Sequence, residues 1–379
     1  MRVAFYAPMK PPSHPVPSGD RRMARALITA FATGGHVVEV ASAFRSHDRS
    51  GDERRQRRFA RLGERLAARL IRRYRARDAH RRPDAWFTYH LYHKAPDWLG
   101  PAVADALEIP YVLAEASHAP KQRNGAWAFG HEAAARAIRR ADAIISLNAA
   151  DDACIAEVLG GRERLISMRP FVDPAPFKAA HANRDANRRR LVDAHGLDAD
   201  VPWLLAVAMM REGDKLASYR ALAEGLSRMG ERSWQLLVVG DGAARAPVES
   251  AFVGVAERVR WLGALETEAL AGAYSACDLY VWPAVNEAYG MAIVEAQAGG
   301  LAVVAGDEGG VRGVVDDGET GLLVPGRDAG AFAAVVAALL DDETARKRMG
   351  VAALRLAADR HGLARASRTL DETLQRVVP

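Results

Sequence analysis

Glu287 and Glu295, with seven residues between them, are the side chains of this 379-residue chain whose type and spacing point most directly to chemistry. The apolar run from Leu279 to Trp282 reads as a buried strand that stops at Pro283, a residue unable to donate to a sheet ladder. Residues 291–298 read as a helix opening at Gly290, where the missing side chain lets another group come close to the backbone. The first amides of such a helix have no partner within it and sit at the positive end of its dipole, so a phosphate or a sugar oxygen can dock there. Glu287 falls on the loop before the helix and Glu295 in its second turn, so both are expected to point at whatever the helix start holds. Taken alone, the pair reads more simply as two solvated glutamates near a helix N-terminus.

A second set of residues answers the first. A strand from Trp203 to Met210 ends in Arg211 and Lys215, and two cations at the carboxyl end of a strand can clasp a diphosphate; the alternative is a charged loop in solvent. Gly309 and Gly310 make a glycine-rich turn after the helix, and Asp317-Gly318-Glu319-Thr320-Gly321-Leu322-Leu323-Val324 follows them. Together with Glu287-Ala288-Tyr289-Gly290 and the spacing to Glu295, this set resembles the donor site of the retaining glycosyltransferases of family 4. The resemblance is strong over residues 203–340, looser in the first half, and absent from the basic segment at 45–82.

The resemblance implies an α/β protein of GT-B type, with two doubly wound Rossmann-like domains facing each other across a cleft. Residues 1–175 would form the acceptor side and 176–355 the donor side, with a helix in 356–379 crossing back to the first domain. By the same resemblance, Arg211, Lys215 and the amides of Gly290, Met291 and Ala292 hold the donor diphosphate, and Glu295 holds the ribose. Glu287 holds the sugar hydroxyls and steadies the carbocation-like transition state. Gly19 stands where the family usually has a Gly-Gly pair facing the phosphates, and His118 where members often have a histidine that orients the sugar. This chain departs from the pattern in having one glycine there, and in placing Lys215 one residue closer to Arg211 than usual with Leu216 after it. The bland readings stay open at these positions: a simple turn at Gly19 and a backbone-satisfied histidine at 118.

The implied reaction moves a hexosyl or related sugar from a nucleotide-diphosphate donor, UDP or GDP, to a hydroxyl of a lipid or saccharide acceptor, with retention. Cell-envelope or other glycoconjugate or polysaccharide synthesis is the expected setting. No cofactor or metal is called for, since the cations and amides can meet the charge of the leaving group. Asp198-Ala199-Asp200 precedes a strand and reads as a loop. A nucleotide-sugar 2-epimerase-like isomerase of the same layout is the competing enzyme. A dehydrogenase fits poorly, because Gly240-Asp241-Gly242 lies mid-chain and has Arg245 where the third glycine of a dinucleotide fingerprint belongs.

The elements that must position these residues are legible along the chain. A hydrophobic fraction of 49% over this length supports two domains with full cores. Two cysteines, Cys154 and Cys277, give neither a disulfide framework nor metal-ligand spacing, and no run is long enough for a membrane span, so a cytoplasmic protein is expected. Strand and helix patterns alternate from Arg2 to Met168, where residues 169–177, with three prolines, read as a stiff hinge. The net charge of +5 is uneven. Arginines crowd residues 45–82, where Phe59, Leu62, Leu66 and Leu70 at helical spacing suggest an amphipathic helix. Such a helix can rest peripherally on the anionic inner face of a membrane or pack its stripe on its own domain. Nucleic-acid binding is not expected, since no stacking aromatics or reading module accompany the arginines. His90 and His93 end the strand before His118 and read as a solvated loop, with the acceptor side as the alternative.

Overall fold

The computed structural model describes residues 1–16 and 18–378 and divides them into two compact units. The first comprises Met1–Arg169 and the stretch from Leu363 onward; the second is Pro170–Gly362. Within the first, β1 (Arg2–Tyr6), β2 (Val37–Ser42), β3 (Ala85–Leu91), β4 (Tyr111–Ala116), β5 (Ala143–Ser146) and β6 (Leu165–Ser167) form one parallel sheet. Their spatial order is β2-β1-β3-β4-β5-β6. Strands covered by helices on both faces read as unbroken apolar runs, and β3 buries Ala-Trp-Phe-Thr-Tyr in succession.

In the second unit β7 (Trp203–Val207), β8 (Gln235–Val239), β9 (Val259–Gly263), β10 (Leu279–Trp282), β11 (Ala302–Gly306) and β12 (Gly321–Val324) pair in the order β12-β11-β10-β7-β8-β9, again all parallel. Each sheet is therefore doubly wound. Chain order reverses between β1 and β3 in the first and between β7 and β10 in the second, and the carboxyl ends of strands at such a reversal form a crevice for ligands.

Four local expectations need correction. The hinge at 169–177 is shorter than its prolines suggest, because the helix Ala175–Ala182 starts inside it. Pro174 caps that helix and Pro176 lies in its first turn, where a missing N–H forfeits no bond. A separate polar helix, Arg184–His195, follows it. β7 ends at Val207, three residues early, and Ala208 and Met210 after it donate backbone hydrogen bonds to Val239, the last residue of β8, and to Asp241 beyond it. Gly240 and Gly242 allow this approach: a Cβ there would lie 1.9 Å from the Ala208 carbonyl oxygen and 2.2 Å from that of Met210. The glycines of the partial dinucleotide fingerprint thus serve a loop-to-loop contact.

The basic segment is the helix Glu53–Arg75, but its buried face is Gln56, Ala60, Gly63, Ala67, Leu70 and Tyr74, one position round from the expected stripe. Leu62 is 41% exposed, and the small residues are inside because Gly63 meets Trp98, where a Cβ would be 2.3 Å from its neighbour. Arg73 and Arg77 pair with Glu39, while Arg54, Arg58, Arg61 and Arg65 stay exposed. No helix among the described residues is long and apolar enough to cross a membrane. Finally, residues 356–360 complete the helix Glu343–Arg360 of the second unit, and the segment that packs on the first begins at Leu363. That helix, Leu363–Val377, lies against the helix Gly19–Thr33 and buries Leu370 and Leu374.

Candidate functional site

The β7–β10 reversal brings together charged residues far apart in sequence. After β7 the chain turns through Gly213, whose φ of 83° suits a residue without a side chain, into the helix Asp214–Ser227. Lys215 lies in the first turn of that helix, and Leu216 after it is buried in the core. Lys215 Nζ donates to Glu287 Oε2 at 2.5 Å, and Trp282 Nε1 donates to the same oxygen at 3.2 Å. The two charged side chains are 18% and 16% exposed, and the ammonium stands 5.5 Å from the centre of the Trp282 ring. Arg211 is exposed and has no side-chain hydrogen bond or ion pair among the described residues.

The loop that carries Glu287 is strained and braced. Ala284 and Asn286 adopt left-handed φ values of 58° and 48°, which non-glycine residues hold only when their surroundings impose them. Asn286 Nδ2 donates to Asp214, its amide donates to Glu308, and Arg327 clasps Glu308 in turn. From below, Gly310 N donates to the Glu287 carbonyl, and a Cβ on Gly309 or Gly310 would stand 2.0 or 2.1 Å from the carbonyl oxygen of Glu287 or Ala288. The loop closes at Gly290, φ 66°, which caps the helix Met291–Ala298. Ile293 and Val294 take the Gly290 carbonyl, leaving the Met291 and Ala292 amides without an intrahelical partner at the helix start.

Glu295 departs from expectation. It is 5% exposed, and Tyr274, on the helix Thr267–Ala276, donates its hydroxyl to Oε2 at 3.0 Å. One turn into its helix, it thus takes a hydroxyl from a neighbouring helix. Tyr280 is fully buried, and burial first, then Glu287, Tyr219 and Glu295, push its hydroxyl well above its ordinary pKa. The Asp317–Val324 run is scaffold: Asp317 accepts from the Leu323 amide, Thr320 is buried, and Gly321 passes close under Val303. Asp198 and Asp200 form a turn before β7. Sequence reasoning did not single out Trp282, Tyr274 or Asn286; Trp282, as the last strand residue before Pro283, was the one with a visible signal.

In the first unit, Gly19 opens the helix Gly19–Thr33 after Ser18, whose hydroxyl accepts from the Arg21 amide. No atom lies within 4 Å of where a Gly19 Cβ would stand, so packing does not demand glycine there. His118 follows β4 and lies against His131, the ring centres 4.4 Å apart and the planes tilted by 37°. Burial, and then His131, lower its pKa, so the ring is neutral, and its Nδ1 has no hydrogen-bond partner among the described residues. His90, read from the sequence as a solvated loop residue, is instead the charged histidine of this edge. Its Nδ1 lies 2.9 Å from Asp20 and 3.5 Å from Glu115. Burial alone would discharge it, but Glu115, Asp20 and Asp151 raise its pKa to about 9. Both His90 and Glu115 have positive φ, 61° and 56°.

Residues 202–342 match the family model described as glycosyl transferases group 1. Over 146 residues the chain is 39% identical to the D-inositol 3-phosphate glycosyltransferase of Corynebacterium diphtheriae, covering 37% of this chain and 34% of that protein. Over 229 residues it is 34% identical to the enzyme of the same description from Nocardia farcinica, covering 58% of this chain and 50% of the relative. The chain thus spans half or less of the length of these curated relatives. Anabaena HepE, solved in complex with UDP, is similar in fold, with a TM-score of 0.71 and 16% identity over 99% of this chain and 100% of that one. Arg211, Lys215, Glu287 and Glu295 all lie inside the stretch that matches the glycosyl transferases group 1 model, and the two doubly wound units are of the GT-B kind.

Proposed function

We propose that the protein is a retaining glycosyltransferase that moves a hexosyl or related sugar from a UDP- or GDP-sugar to a hydroxyl of a lipid or saccharide acceptor, in cell-envelope or other glycoconjugate synthesis. The observation that carries this reading is the Lys215–Glu287 pair standing at the β7–β10 reversal, on a loop that ends at the unpartnered amides of Met291 and Ala292. As the bond from the sugar to the diphosphate breaks, negative charge grows on the leaving oxygen and positive charge on the anomeric carbon. Arg211, Lys215 and the helix-start amides meet the first, and Glu287 meets the second. Without donor, Glu287 compensates Lys215; an arriving diphosphate takes over the ammonium and leaves the carboxylate free to accept from a sugar hydroxyl. In this scheme attack comes from the face the phosphate leaves, and that phosphate takes the acceptor's proton. Positive charge from side chains and amides makes the reaction independent of a metal. The curated relatives are named as transferases, which favours transfer over 2-epimerisation, and HepE's bound UDP supports a uridine nucleotide among the donors to try first.

Glu287→Gln keeps the shape and removes the charge. The expected result is a loss of roughly 10²–10³ in kcat/KM, the magnitude of losing one preorganised electrostatic group, with nucleotide binding retained. Intact sugar transfer by this variant would overturn the assignment. Loss of turnover on adding a chelator would overturn metal independence, and an isomerised donor formed without acceptor would identify the epimerase.

A further inference from the structure

Lys215 and Trp282 meet on one oxygen of Glu287. The ammonium reaches Oε2 at 2.5 Å and the indole Nε1 reaches it at 3.2 Å, while Oε1 accepts no hydrogen bond among the described residues. The two donors differ in what they can do next. Lys215 stands on a flexible four-carbon stem in the first turn of Asp214–Ser227, and an arriving diphosphate competes for its charge. Trp282 is fixed. As the last residue of β10 it is 2% exposed, and its ring meets the Tyr219 ring edge to face, centres 5.0 Å apart and planes at 83°. Tyr219 is held in turn by its hydroxyl, which donates to the Ala208 carbonyl at 2.8 Å. The indole carries a single N–H and no acceptor, and Glu287 is its one hydrogen-bond partner among the described residues.

A glutamate that loses its ammonium partner regains side-chain freedom unless another group holds it. We propose that Trp282 is a positioning residue for sugar transfer: its N–H keeps Oε2 in place once the diphosphate has drawn Lys215 away, so that Oε1 meets the sugar hydroxyl on a fixed carboxylate. The strand itself does not call for a donor here, since Leu279 and Val281 fill β10 with apolar side chains alone. A hydrogen bond to a charged acceptor is among the stronger ones, and more so where water is excluded. Its loss therefore falls on the step at which the carboxylate is otherwise unheld. The proposal rests on the glycosyltransferase reading, in which Glu287 steadies the sugar.

Two replacements remove the donor. Trp282→Phe does so with a smaller ring, and benzothienylalanine, placed at position 282 by site-specific incorporation, keeps the bicyclic shape with sulfur in place of the N–H. Cleavage of UDP-glucose, UDP-N-acetylglucosamine and GDP-mannose is followed as nucleotide released. In both proteins kcat should fall about tenfold or more, with KM changed less than about twofold. Because Trp282 acts through the carboxylate, Trp282→Phe should cost nothing further in a Glu287→Gln background. A benzothienylalanine protein with wild-type kcat, or an equal fold-loss in both backgrounds, would overturn the proposal. Full activity of Glu287→Gln, or a wild type that binds neither UDP nor GDP, would instead overturn the glycosyltransferase reading beneath it. A readout that needs no acceptor is the indole N–H resonance of Trp282, assigned by its disappearance in Trp282→Phe. It should move upfield in Glu287→Gln and stay downfield when UDP or GDP saturates the wild type. No movement in Glu287→Gln, or an upfield move on adding nucleotide, also refutes the role of Trp282.

Discussion

The charged His90 makes the stability of the first unit depend on pH in a calculable way. Its pKa of about 9 exceeds the ordinary value of 6.5 by 2.5 units, and at 1.36 kcal/mol per unit this is about 3 kcal/mol of preference for the folded state over the unfolded. The folded state holds the proton more tightly, so the contribution is fully present below pH 6.5. It declines as pH rises from there and is gone above about 9. His90→Gln removes the titration while keeping a polar side chain beside Asp20 and Glu115. Urea unfolding of both proteins, followed through the transition assigned to the first unit, should show a wild-type advantage that shrinks by about 3 kcal/mol between pH 6.5 and 9. Taking the difference between the two proteins cancels groups that titrate in both. An NMR titration of the His90 ring gives the pKa directly. Stability profiles that stay parallel, or a ring that titrates at 6.5 or below, would show that Glu115, Asp20 and Asp151 do not outweigh burial.

Two further outcomes follow from packing. Gly310→Ala puts a Cβ 2.1 Å from the Ala288 carbonyl oxygen, so the Glu287 loop must move; nucleotide affinity should fall by more than stability does, and unchanged affinity would show that the loop does not shape the donor site. Leu374→Ala, on the helix Leu363–Val377, should cost about 2–5 kcal/mol in urea unfolding as expected for a fully buried leucine, and a loss under 1 kcal/mol would mean that this helix is not held on the first unit.

What the sequence could show of the site was set by distance along the chain. The helix Met291–Ala298 and its glycine cap were readable because a strand, a proline, a loop and a helix follow one another within twenty residues. The contact of Lys215 with Glu287 was not, since 72 residues separate them and they meet only because β7 and β10 are neighbours in the sheet. Nor was the contact of Glu295 legible, since the hydroxyl it takes belongs to Tyr274, twenty-one residues earlier on a separate helix. On Glu53–Arg75 the large apolar residues at helical spacing are not the buried face. Close contact with Trp98 instead requires Gly63, and small residues line that face.

The two histidines of the first unit sharpen the same point. His118 was chosen by its likeness to a family position and His90 set aside, yet the sheet makes His118 a neutral ring beside His131 and His90 a cation between two carboxylates. A neutral imidazole can accept or donate a hydrogen bond to a sugar hydroxyl, and a held imidazolium can only donate, so the two positions suit different tasks. Backbone strain marks the second of them. Five non-glycine residues among those described have positive φ: Glu108 at a helix end, and His90, Glu115, Ala284 and Asn286. His90 lies near the carboxyl end of β3, which borders the first reversal, and Glu115 near that of the next strand, β4; Ala284 and Asn286 lie just past β10, which borders the second. Such backbone costs on the order of 1–3 kcal/mol per residue and persists only where the surroundings over-determine it. In the second unit the bracing is the Asp214–Asn286–Glu308–Arg327 chain around Glu287; in the first it is the Asp20–His90–Glu115 cluster. The first unit thus braces the strand ends beside its reversal much as the second braces the Glu287 loop.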